Sequence, residues 1–113
     1  MKKGNLVLIQ FPFTDFTTLK RRPALILSAN NESRKDVIVA FISSILPQNF
    51  LETDLLLSVT QKSFAETGLH RSSVVKLDKI MTIDIDLITG ELGKISEELI
   101  VDVNQKIKIV LGL

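Results

Sequence analysis

Asp36-Val37-Ile38-Val39-Ala40-Phe41-Ile42-Ser43 runs apolar without a break between one carboxylate and one hydroxyl. The run is too short for an ordinary helix and rich in β-branched residues, so it reads as a strand buried on both faces. Upstream, Pro23-Ala24-Leu25-Ile26-Leu27-Ser28 is a second strand, with proline at its start, where a missing N–H is tolerated. Residues 30–35 between the two are polar and turn-like. Asn5-Leu6-Val7-Leu8-Ile9-Gln10 is a further strand, closed by Pro12. The connection over residues 11–22 carries Pro12, Thr14, Asp15, Thr17 and Thr18 and ends in Lys20, Arg21 and Arg22. A loop of that length is more often functional or disordered than a plain connector.

Downstream, residues 53–59 make a fourth strand, and residues 61–67 are one helical turn stopped by Gly68. Residues 73–77 and 79–83 are two short strands or one bent strand. The tail differs in kind. Ser96 can cap a helix, Glu97 and Glu98 suit its first turn, and Leu99, Ile100, Val103, Ile107 and Val110 fall at helical spacing before Gly112. Five or six strands followed by one amphipathic helix define an α+β, mainly β fold, with a small curled sheet or barrel on which the helix packs. Periodicity alone does not distinguish which barrel.

The 113 residues fit one domain, 1–113, with no repeat, low-complexity tract or linker. Hydrophobic residues at 45% and charged residues at 24% are globular proportions. The absence of cysteine removes disulfides, thiol nucleophiles and cysteine-ligated zinc, and fits a reducing, cytoplasmic setting. Lys2 and Lys3 precede no apolar stretch long enough for a signal peptide or a membrane span. Net charge is only +1, yet residues 1–35 set seven cations against two acids, while residues 84–102 set six acids against one lysine. The asymmetry fits a solvated face or an anionic ligand at one end.

A single histidine, His70, excludes a two-imidazole acid–base pair. No His/Asp/Glu cluster has metal-ligand spacing, and Asp84 with Asp86 reads as turn chemistry. Gly90 and Gly93 make no phosphate-cradling pattern, and no serine sits in a nucleophile elbow. No cofactor is called for.

The segments Phe11-Pro12-Phe13-Thr14-Asp15 and Lys20-Arg21-Arg22-Pro23-Ala24-Leu25-Ile26-Leu27-Ser28 resemble the opening of the MazF/PemK toxins of type II toxin–antitoxin systems. The likeness continues through Val37-Ile38-Val39-Ala40-Phe41-Ile42-Ser43-Ser44, Gly68, Ser73-Val74-Val75-Lys76-Leu77-Asp78-Lys79-Ile80, Thr82-Ile83-Asp84, Ile88 and Leu92-Gly93, and ends with the helix from Glu97 to Leu111. The resemblance implies an SH3-like barrel of five to seven strands with a C-terminal helix, and a homodimer. It implies metal-independent cleavage of single-stranded RNA through a 2′,3′-cyclic phosphate, and a small antitoxin as partner. No membrane is involved. On this resemblance the catalytic arginine before proline falls on Arg22, and the catalytic threonine on Ser43, which keeps the hydroxyl. RNA contacts fall to Phe13, Thr14, Lys20, Arg21, Ser44, Arg71, Ser73 and Lys79. Asn5, where an acid is usual, and Met81, where arginine is usual, depart from the pattern. A catalytically weakened toxin that keeps dimer and antitoxin binding is the alternative. A gyrase-inhibiting relative of the same barrel acts through C-terminal residues including tryptophan, which this chain lacks.

Overall fold

A computed structural model describes residues 1–11, 20–29 and 33–113; the side chains of Phe11 and Lys20 are outside that description. Six strands, β1 (Asn5–Phe11), β2 (Lys20–Ile26), β3 (Asp36–Ser43), β4 (Asp54–Leu57), β5 (Ser73–Asp84) and β6 (Ile88–Lys94), precede one helix, α1 (Glu97–Leu111). The strands form one antiparallel sheet in the order β4-β5-β3-β2-β1-β6. Its two ends, β4 and β6, are not paired with each other, so the curled sheet stays open rather than closing into a hydrogen-bonded barrel.

Alternation along the central strands divides the apolar residues between two faces. Leu6, Leu25, Ala40, Val75 and Leu77 join one buried cluster, onto which α1 lowers Val103 together with Leu99, Ile100, Ile107 and Val110. Val7, Ile9, Ala24, Ile26, Val37 and Val39 form a second cluster. The expectation that β3 is buried on both faces holds at its centre, where Val39 and Ala40 are both fully buried. The helix begins and ends as its sequence requires. Ser96 Oγ accepts from the Leu99 N–H at 3.3 Å, and Gly112 closes the helix with a left-handed φ of 70°. No helix of the described residues is long and apolar enough to cross a membrane.

Strands β2 and β4 differ in their bounds from the sequence reading, and β6 is an element the sequence does not announce. Residues 73–84 take the second of their two readings, one bent strand. Strand β2 starts at Lys20 rather than Pro23, because its ladder with β1 runs as far as Phe11↔Lys20. Its ladder with β3 begins only at Ala24, so the missing N–H of Pro23 lies at the end of that second ladder. Strand β4 stops at Leu57, where side chains take over the backbone donors: Ser58 N–H goes to Gln61 Oε1 (3.0 Å) and Val59 N–H to Ser72 Oγ (3.0 Å). Residues 73–84 are one strand with a bulge, since Ala40 faces Ile80 while the next residue, Phe41, faces Lys76. Asp84 and Asp86 make the expected turn, with Asp86 N–H on Asp84 Oδ1 at 2.9 Å.

At the sheet's β4 edge the fully buried Asp54 side chain receives Lys76 Nζ at 2.7 Å and the Leu51 N–H at 2.9 Å. Burial pushes this carboxyl up, but the Lys76 hydrogen bond, the Leu51 N–H and the nearby lysine charges outweigh it, and it lies below the ordinary 3.8. A carboxylate held low contributes stability that is complete at neutral pH and is lost as pH falls through its folded pKa, below 3.8. Asp54→Asn is therefore expected to cost about 1–3 kcal/mol at pH 7. The difference from wild type should shrink in urea titrations at pH 3, and a difference that grows there would reverse the sign assigned here.

Candidate functional site

The residues before Pro23 and those ending β3 meet at one end of the sheet. The ladder Ala24↔Phe41, Leu25↔Ala40, Ile26↔Val39, continued by two residues, sets Arg22 across from Ser43. Alternation puts both on the face shared by Ala24 and Phe41. There a groove of about 340 Å³ is lined by Arg21, Arg22, Pro23, Ile42, Ser43, Ser44 and Ile45.

Arg21 and Arg22 are exposed, Ser43 is half-buried and Ser44 exposed. Among the described residues the lining has two guanidinium groups and two hydroxyls and no carboxylate, so it attracts an anion. Guanidinium donors form a planar fork matched to two phosphate oxygens. Ser43 Oγ accepts from the Ile45 N–H at 3.1 Å and donates to the Ile45 carbonyl at 3.3 Å. The second bond is long, and a hydroxyl proton rotates freely, so Ser43 can redirect it to a phosphate oxygen while still holding the Ile45 N–H.

Arg21, Arg22, Ser43 and Ser44 thus come together. Lys20 is the first residue of β2 at the same end. Phe13 and Thr14 lie outside the described residues. The remaining expected RNA contacts do not line the groove. Ser73 is 2% exposed, pairs with Leu57, and spends its hydroxyl on the Arg71 carbonyl at 3.0 Å. Because Ser43 pairs with Val74, Ser73 and the exposed Arg71 nonetheless sit at the same end of the sheet. Lys79 is exposed within the β5 bulge, toward the middle of the strand. His70 is exposed, as its isolated place in the sequence implies.

Three lining residues, Pro23, Ile42 and Ile45, carry no polar side chain and were not marked by the sequence. Two further hollows are poor hosts for phosphate. One of about 650 Å³ against the start of α1 has Glu66, Glu97 and Glu98 against Lys62. Another of about 470 Å³ beside β4 has Glu52, Asp54 and Asp102 against Lys106. Among the described residues no group of three or more His, Cys, Asp or Glu side chains is placed to hold a metal ion.

Residues 2–111 match the family described as PemK-like, MazF-like toxin of type II toxin-antitoxin system. The chain belongs to that family. Solved structures share its fold at low identity. An endoribonuclease bound to its cognate antitoxin from a mycobacterial species is 19% identical, with a TM-score of 0.77 over 100% of this chain and 96% of that one. The Mycobacterium tuberculosis toxin MazF-mt6 is 23% identical, TM-score 0.74, covering 96% and 97% of the two chains. A MazE–MazF complex from Deinococcus radiodurans is 23% identical, TM-score 0.75, covering 100% and 97%. No curated protein matches the sequence.

Proposed function

We propose that this chain is a sequence-specific endoribonuclease toxin of one domain, acting on single-stranded RNA in the cytoplasm as a homodimer and neutralised by a small cognate antitoxin. The observation that carries the reading is the convergence of Arg22 and Ser43, from two different strands, on one groove whose described lining has no carboxylate. Family membership and the antitoxin-bound structures of similar fold support it.

The reaction that suits this groove is an internal transesterification. The ribose 2′-oxygen forms a bond to the adjacent phosphorus and the P–O5′ bond breaks. One proton leaves the 2′-hydroxyl, one ends on O5′, and a 2′,3′-cyclic phosphate remains. No water is consumed and no metal is needed. Arg22 holds the non-bridging phosphate oxygens and stabilises the charge that grows on them, with Ser43 as a second donor. Arg21, Lys20 and Ser44 hold the strand's backbone beside it, with Arg71, Lys79, Phe13 and Thr14 as outlying contacts; Ser73, buried, supports the Arg71 carbonyl instead of meeting RNA.

The test is incubation of a long single-stranded RNA with purified protein in EDTA, followed by mapping of the ends. Discrete cuts ending in cyclic phosphate are expected; no cuts across varied RNAs would leave a toxin-fold protein without this activity. Ser43→Thr should retain most of the rate, and Ser43→Ala should lose about 10²-fold, the order seen when one donor to a developing oxyanion is removed. Equal rates for the two variants would remove Ser43 from the chemistry.

A further inference from the structure

We propose that Ile45 is a wedge that enters between the two bases flanking the phosphate held at Arg22 and unstacks them. This rests on the reading of the groove as an RNA-cleaving site.

Ile45 is 82% exposed, yet it lines the groove beside Arg21, Arg22 and Ser43. Both of its backbone polar groups engage the Ser43 hydroxyl, the N–H at 3.1 Å and the carbonyl at 3.3 Å. The wedge and the phosphate-binding hydroxyl therefore share one turn, still tied by the Ile45 N–H when the hydroxyl proton turns to a phosphate oxygen. A β-branched side chain is stiff at χ1, which suits a part that must hold its shape against a stack. The occupant is set by continuity with the groove: a strand whose phosphate meets Arg22 carries its neighbouring bases past the next side chain.

The chemistry gives such a wedge a purpose. In a stacked strand the 2′-hydroxyl lies to one side of its phosphate rather than opposite the leaving O5′. In-line attack needs the step between the two nucleotides opened and rotated. Apolar side chains such as isoleucine and leucine open base steps in duplexes by partial insertion, and contact with a base face is tolerant of sequence. Specificity would then come from elsewhere, and Ile45 would act chiefly on kcat.

The wild-type cut site is mapped first. Two RNAs of that sequence are then compared, one intact and one with an abasic ribose immediately 3′ to the scissile phosphate, where no stack remains to be opened. Ile45→Ser is expected to lower kcat about tenfold or more on intact RNA with little change in KM, and to match wild type within about twofold on the abasic RNA. Ile45→Val should keep most of the rate, and Ile45→Ala should repeat the substrate dependence if serine perturbs the turn. Equal rates on intact RNA, or the same loss on both RNAs, would overturn the wedge alone. Where wild type reads that base and cannot cut the abasic RNA, the comparison is made with the abasic ribose immediately 5′ to the scissile phosphate, and the same outcomes decide. A wild-type protein that cuts no RNA overturns the wedge together with the endoribonuclease reading.

Discussion

Arg22→Ala is expected to lower RNA cleavage by about 10²–10³-fold, the cost of removing one well-placed donor to a developing oxyanion. The groove has two guanidinium groups, but only Arg22 sits on the same face as Ser43, so Arg21 does not replace it. The Arg22 side chain is exposed, so its truncation removes little packing. Thermal unfolding should stay close to wild type, which separates a catalytic loss from a folding one. Arg22→Lys keeps the charge but not the planar fork, and should fall between the two, about tenfold below wild type. Initial rates on one mapped RNA site read all three proteins. A fully active alanine variant would take Arg22 out of the mechanism.

What made Arg22 visible in the sequence also shows where sequence reading ended. The segment Lys20-Arg21-Arg22-Pro23 is local, and its three consecutive cations announce themselves. Strand β3 and helix α1 were legible for the same reason. A continuous apolar run and a capped 3.6-residue periodicity are both properties of neighbouring residues. Ile45 is different. Nothing near it in the chain marks an isoleucine after two serines as part of a site. It becomes one only when β2 pairs with β3 and places it beside two arginines from another strand. Ser73 shows the converse: the family resemblance implied an RNA contact there, while its register against Leu57 buries it.

Strand β6 was the largest omission, and its composition explains why. Ile-Thr-Gly-Glu-Leu-Gly-Lys has two glycines in seven residues, which weakens any strand signal. The pairing is set from outside, by β1, with shifts in register after Leu6 and after Leu8. Gly93, opposite Leu6, is fixed by what lies above it rather than by strand preference. A Cβ there would meet the Glu66 carbonyl oxygen at 2.0 Å and the Thr67 carbonyl carbon at 2.7 Å. The 3-10 turn Phe64–Thr67 therefore rests directly on the backbone of β6. Gly68 makes the reciprocal contact, its own missing Cβ lying 2.1 Å from the Leu92 carbonyl oxygen.

The same contact yields a large expected stability effect. Gly93→Ala forces backbone against backbone, where no side chain can swing aside, so either the turn lifts or β6 leaves β1. Overpacking of this kind commonly costs about 1–3 kcal/mol and occasionally more, and this site belongs at or above about 3 kcal/mol. For a domain near this size that corresponds to a fall in Tm of roughly 12–20 °C. Gly90→Ala is the matched control, on the same strand with nothing within 4 Å of the added Cβ, and should leave Tm almost unchanged. Loss at Gly93 with none at Gly90 would locate the cost in the turn-on-strand contact rather than in β6 propensity. Equal losses at both would mean that β6 simply tolerates no side chain at its glycines. The turn also adjoins Gly68 and the approach to Arg71, so a lifted turn should disturb the start of β5, the strand paired with Ser43. RNA cleavage by any folded Gly93→Ala protein is therefore expected to fall along with its stability, although Gly93 lies outside the groove.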